Sequence, residues 1–100
     1  MEHVKHCAII LRRPEDLWEG TRTSLGLAVQ NFFVYLIVID FLVDVTGALK
    51  ENLDWLEEME CQYMSNLQQN AQYNFKHFPL EKIARKLRKM DLIIPFGKKD

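Results

Sequence analysis

The stretch FFVYLIVIDFLV, at residues 32–43, is the most hydrophobic part of the sequence and decides the fold. Its apolar residues lack the polar alternation of a half-exposed strand, which is typical of a strand buried on both faces of a parallel sheet. At twelve residues it is too short to span a bilayer, which needs about 20. We therefore predict an inner strand, with Asp40 near the carboxyl end, where ligands bind in open α/β sheets.

A second buried strand and a helix precede this stretch. VKHCAIIL at residues 4–11 predicts the strand, and residues 14–30 predict the helix, since Pro14 suits a first helical turn. By helical spacing, the side of the helix facing the core holds Leu17, Trp18, Thr21, Leu25, Ala28 and Val29. Strand, helix and strand joined by short connections form a βαβ unit with a right-handed crossover.

The second half of the chain continues the alternation of strands and helices. The pattern predicts a helix at residues 47–59, a strand at 61–65, a helix at 79–90 and a strand at 91–96. Because Pro95 cannot donate to a ladder, this last strand either lies at an edge of the sheet or ends there. Residues 67–78 show no clear period and are predicted as a loop with a short helical turn. The count predicts one three-layer α/β domain over residues 1–100, with a mostly parallel sheet of four to five strands and helices on both faces.

The composition is that of a globular protein with no overall electrostatic preference. Hydrophobic residues make up 48%, charged residues 27%, and the net charge is −1, so no nucleic-acid or membrane partner is expected. The two cysteines, Cys7 and Cys61, lack the spacing of a metal site, and neither a metal nor another cofactor is expected. The first residues contain no hydrophobic signal segment, and we expect a cytoplasmic protein with reduced thiols.

Nucleophilic and charged side chains offer few candidate sites. Cys7 lies within a predicted strand, which favours a packed thiol over a nucleophile. Asp40 and Asp44 could bind Mg²⁺, but Arg12 and Arg13 stand where that chemistry needs acidic residues. These two guanidinium groups, beside a helix N-terminus, could hold an anion or remain solvated.

The last predicted helix carries a concentration of positive charge. Five of the eight residues from Lys82 to Lys89 are Lys or Arg, and aromatic residues precede them. Basic residues beside aromatic rings can bind single-stranded nucleic acid. A solvated helix face is the reading we favour, because cations near a helix C-terminus are stabilising without any ligand.

Three segments of the chain share a pattern with one known family. They are VKHCAIIL through LGLAVQ to FFVYLIVIDFLV, then ALKENLDWLEEMECQYMS, and finally RKLRKMDLIIPF. The pattern resembles the DsrE/TusD-like sulfur-relay family. The resemblance implies a small flavodoxin-like domain that forms homo-oligomers or pairs with a related DsrE-like subunit. It also implies a persulfide-carrying cysteine near the exit of the third strand, a position that falls here at about Ser65 or Asn66.

Neither serine nor asparagine can carry a persulfide, so the resemblance implies an oligomeric binding or partner protein that lacks the relay cysteine. Its ligand cleft would be lined by Arg12, Arg13, Asp40, Ser65 and Asn66. No catalytic residue is identified. A sulfur carrier that uses Cys61, four residues before Ser65, is the alternative if the strand register differs from the predicted one. Nucleic-acid binding through the basic helix at residues 82–89 is the third hypothesis.

Overall fold

The computed structural model describes residues 4–97 and shows one parallel sheet with helices on both faces. The strands are β1 (His6–Leu11), β2 (Phe33–Val38), β3 (Gln62–Ser65), β4 (Lys76–His77) and β5 (Leu92–Pro95). The helices are α1 (Leu17–Val29), α2 (Gly47–Glu58) and α3 (Leu80–Leu87), and 3₁₀ helices span Pro14–Asp16 and Gln68–Tyr73. The order across the sheet is β4-β3-β2-β1-β5, which confirms the predicted α/β fold.

Two buried clusters lie on opposite faces of the sheet. The larger cluster joins α1 and α2 to alternate residues of β1, β2 and β3, among them Ile9, Leu36 and Tyr63. The smaller cluster joins α3 to the other face through Ile83 and Ile37. Because α3 has only eight residues, it leaves part of the second face uncovered.

The decisive stretch forms a shorter strand than its hydrophobicity predicts. β2 ends at Val38, between β1 and β3, and the chain leaves the sheet through Asp40, whose φ is 64°. Phe41 and Val43 are still buried, because they fold into the larger cluster. The second half of the hydrophobic run is therefore a buried connection, and the prediction of strand up to residue 43 is wrong there.

The side of α1 that faces the core also differs from the prediction. Its buried residues are Leu17, Gly20, Thr21 and Ser24, whereas Trp18 and Val29 are 42% and 72% exposed. A Cβ atom on Gly20 would lie 2.6 Å from Cδ2 of Leu11, so the helix approaches β1 more closely there than a larger residue permits. Small residues thus form much of the buried side, and hydrophobic spacing does not reveal them.

The remaining elements begin and end within three residues of their predicted bounds. The exception is the segment after β3, where the two-residue strand β4 pairs with the end of β3 through Ser65 and His77. β5 lies at the opposite edge of the sheet and ends at Pro95, as predicted. No helix in the described part of the chain is long and apolar enough to cross a membrane.

Candidate functional site

The predicted site residues lie together at the carboxyl-terminal end of the parallel sheet, where β1, β2 and β3 end. In the register of the sheet, Leu11 is opposite Val38, and Val38 is opposite Ser65. The residues that end or follow these strands are Arg12, Arg13, Asp40, Ser65 and Asn66. Open α/β sheets bind ligands at this carboxyl-terminal end of their strands.

Asp40 and Asn66 form two hydrogen bonds with each other at this end of the sheet. The backbone N–H of Asp40 donates to Oδ1 of Asn66 at 2.9 Å, and Nδ2 of Asn66 donates to Oδ1 of Asp40 at 2.8 Å. Asp40 adopts a left-handed backbone conformation, which Asp tolerates better than most residues. The paired bonds fix the exit of β2 against the exit of β3, so Asn66 positions the Asp40 carboxylate.

Ser65 lies inside the structure, where it joins a network centred on Asn70. The Ser65 side chain is fully buried, and its Oγ accepts hydrogen bonds from the Leu67 N–H at 3.1 Å and from Nδ2 of Asn70 at 2.9 Å. The same amide of Asn70 donates to the carbonyl of Phe41 and accepts from the N–H of Val43, both at 2.9 Å. Ser65 and Asn70 therefore hold the connection after β2 against the end of β3.

A cavity of about 440 Å³ lies between the carboxyl ends of β1 and β2 and the helix α3. Its lining consists of Ile10, Arg12, Ile37, Ile39, Asp40, Leu80, Ile83, Ala84 and Leu87. The volume falls in the range of about 300–1,000 Å³ that is usual for small-molecule sites. Its walls are aliphatic, and Arg12 and Asp40 supply its charged groups. The cavity can therefore hold an apolar body and orient a polar group.

The two adjacent arginines have different surroundings. Arg13 donates from Nε and Nη2 to the two carboxylate oxygens of Asp16, at 3.0 and 3.1 Å, and lies 3.8 Å from Glu15. Arg12 lines the cavity, and within residues 4–97 it forms no ion pair. Arg12 is thus the guanidinium available to a ligand, while Arg13 holds the turn before α1.

No relative indicates a ligand for this end of the sheet. Comparison with protein-family models, curated proteins and solved structures gives no match. The chemistry of the lining must therefore indicate the ligand. Asp40 and Asp44 line different cavities, and residues 4–97 contain no group of three His, Cys, Asp or Glu side chains placed to hold a metal ion.

Both thiols are buried away from this cavity. Cys7 lies within β1. Cys61 directly precedes β3, at the opposite end of that strand from Ser65. The Sγ of Cys61 accepts from the backbone N–H of Val34 at 3.4 Å. Burial raises the pKa of both thiols above its ordinary value, and the Val34 bond offsets this only in part for Cys61. A raised pKa lowers the fraction of reactive thiolate near neutral pH.

We therefore expect a persulfide donor to leave the intact mass of the folded protein unchanged near neutral pH. Unfolding the chain in urea should expose Cys7 and Cys61 and allow both to gain sulfur, which serves as the control for donor activity. Because the pKa of each thiol is raised, any reaction of the folded protein should accelerate as the pH rises. A stable adduct on the folded protein that disappears in Cys61→Ser would contradict this expectation and favour the sulfur carrier.

Proposed function

We propose that this protein is a DsrE-like, oligomeric binding protein without a relay cysteine, and that its cavity takes a small apolar molecule with one negative group. The cavity at the carboxyl ends of β1 and β2 carries the proposal. Its aliphatic walls match an apolar body, and the guanidinium of Arg12 matches a carboxylate, sulfonate or phosphate group. Asp40, fixed by Asn66, disfavours ligands with a second negative group at that end.

The lining supports binding rather than covalent chemistry. It contains one carboxylate and one guanidinium, with no thiol, hydroxyl, imidazole or amine among its residues. The resemblance implies the relay cysteine at about Ser65 or Asn66; the hydroxyl of Ser65, at the end of β3, is used in the Asn70 network, and Asn66 is bonded to Asp40. These observations support a scaffold of the relay type that has kept its cleft without the sulfur chemistry.

The test uses anilinonaphthalene sulfonate, a fluorescent probe that combines aromatic rings with one sulfonate. Saturable binding to the native protein is expected. Ala84→Phe should fill the cavity from an exposed helix position and abolish most of the binding. Ala48→Phe introduces the same side chain at an exposed position of α2 outside this cavity and should leave the affinity unchanged.

The arginine pair tests the charge requirement. Arg12→Gln should weaken probe binding by about tenfold to a hundredfold, since a hydrogen bond to a charged group contributes about 1.5–3 kcal/mol. Arg13→Gln, which removes the neighbouring guanidinium, should change the affinity little. Equal losses for Arg12→Gln and Arg13→Gln, or full binding by Ala84→Phe, would show that the probe binds elsewhere and would contradict the proposed function.

Exposed apolar residues on α1 and α2 support the oligomeric part of the proposal. Trp18, Val29 and Trp55 are 42%, 72% and 56% exposed, and aromatic residues are enriched at protein interfaces. Light scattering at tens of micromolar is expected to give a dimer or larger assembly. Val29→Glu should shift it to the monomer, whereas Leu80→Glu, at an exposed leucine of α3, should not. A monomeric native protein would contradict self-association.

A further inference from the structure

Three aromatic rings form a cluster on the part of the second sheet face that α3 leaves uncovered. His6 and Phe33 are opposite each other in β1 and β2, and Tyr35 follows on the same face. Their ring centroids are 5.1 to 5.7 Å apart, and their planes differ by 24° to 36°. Nδ1 of His6 and the hydroxyl of Tyr35 share a hydrogen bond of 2.9 Å. All three rings are only half-buried, so the cluster is reachable from solvent.

Two lysines border this ring cluster. A cavity of about 290 Å³ is lined by His6, Tyr35, Lys86, Lys89 and Met90. Nζ of Lys86 lies 4.7 Å from the centroid of the Phe78 ring, and the ion pairs within residues 4–97 do not include Lys86 or Lys89. The nearby acidic residue Asp91 accepts from the backbone N–H of His6 at 2.8 Å. The cavity thus combines fixed rings with two ammonium groups.

The net charge of the chain conceals how its charges are distributed. The exposed residues of α2 include Glu51, Asp54, Glu57 and Glu58. The basic residues in and just after α3 are Lys82, Arg85, Lys86, Arg88 and Lys89. The two helices lie on opposite faces of the sheet, so acidic and basic residues are separated across it. An anion that approaches the α3 side therefore meets a positive surface although the whole chain carries a charge of −1.

We propose that this second cavity binds a nucleotide unit, with the base against the ring cluster and the phosphate against Lys86 and Lys89. A phosphate group carries one negative charge within a strand and between about 1.5 and 2 as a free monoester near neutral pH, and its oxygens can be contacted by both ammonium groups at once. Each of the nucleic-acid bases has a flat face that can stack on aromatic side chains, so stacking does not depend on which base is present. At about 290 Å³ the space lies just below the usual range for ligand sites, so it has room for no more than one nucleotide unit, whether free or part of a single strand.

The experiment titrates the protein with adenosine monophosphate, adenosine and inorganic phosphate while following its amide NMR spectrum. The nucleotide is expected to shift the signals of His6, Tyr35, Lys86 and Lys89, and to bind about tenfold more tightly than either part alone. A labelled short oligoadenylate, followed by fluorescence anisotropy, distinguishes the source. Tighter binding of the oligoadenylate identifies a single strand, and equal or weaker binding identifies a free nucleotide.

Matched variants separate this site from general attraction to a basic helix. Lys86→Gln with Lys89→Gln should reduce nucleotide affinity about tenfold, whereas Lys82→Gln with Arg85→Gln removes the same charge from the same helix and should have little effect. Tyr35→Ala should weaken binding, and Tyr35→Phe, which keeps the ring, should weaken it less. Equal losses for the two charge pairs, or phosphate binding as tightly as the nucleotide, would overturn the proposal.

Discussion

Replacing Asn70 with Ala is expected to lower the free energy of unfolding by about 3–5 kcal/mol. The Asn70 side chain is only 1% exposed, and its amide bonds the N–H of Val43, the carbonyl of Phe41 and the hydroxyl of Ser65. Truncation leaves the buried N–H of Val43 and the carbonyl of Phe41 without these partners, and each such group costs about 1–3 kcal/mol, whereas Ser65 keeps its bond from Leu67. Urea unfolding followed by tryptophan fluorescence measures the change. The dependence of the free energy of unfolding on urea concentration should be the same for both proteins, which makes the comparison valid.

Two further variants show whether the amide is responsible. Gln69→Ala alters the neighbouring, exposed residue of the same 3₁₀ helix and should change stability by less than about 0.5 kcal/mol. Asn70→Asp keeps the acceptor for the Val43 N–H but loses both donated bonds. If Asn70→Ala cost no more than Gln69→Ala, the network would not hold the connection after β2.

Stability at alkaline pH is expected to depend on Tyr63. Burial, together with the charge and hydrogen bond of Glu57, raises the pKa of Tyr63 to about 12, and its hydroxyl donates to Oε2 of Glu57 at 3.2 Å. In the unfolded chain a tyrosine titrates near about 10. The folded state therefore retains the proton longer, and the stabilisation is complete below about pH 10 and is lost as the pH rises towards about 12.

The loss should amount to about 1–2 kcal/mol, less than the full shift implies, because solvent screens the exposed Glu57. Tyr63→Phe removes the hydroxyl and keeps the ring against Phe75, whose centroid lies 4.9 Å away. Urea unfolding of both proteins at several alkaline pH values gives the difference in stability. That difference should shrink across the window, and a constant difference would argue against a titrating Tyr63.

The inner strands could be predicted because a strand buried on both faces leaves a continuous apolar run. The same rule overestimated β2, since Phe41 and Val43 are buried after the chain has left the sheet. β4 has only two residues, which is too short for any period to show. Gly20 lies on the buried side of α1 because the helix approaches Leu11 of β1 closely there, which hydrophobicity does not encode.

Only the position of the candidate site, at the carboxyl-terminal end of the sheet, could be predicted from the sequence. Parallel strands place Arg12 and Asp40 together at their carboxyl ends, and both line the cavity. Which of two adjacent arginines faces that cavity depends on local geometry, and Arg13 is held by Asp16 instead. The contribution of α3 to the cavity follows from β5 lying beside β1, which a single sequence does not specify. Asn70 lies in an amide-rich segment where nothing distinguishes it from its neighbours.

The position of β5 has a consequence for the chain as it is made. β5 is the last strand of residues 4–97, yet it pairs with β1, the first of them. A ribosome has released β1, β2 and β3 in order long before residues 92–95 emerge, so β1 waits with one row of backbone groups unpaired. Such an open strand can recruit another nascent chain. Slow or interrupted translation between the codons for β3 and those for β5 would prolong that exposure and favour aggregation over folding.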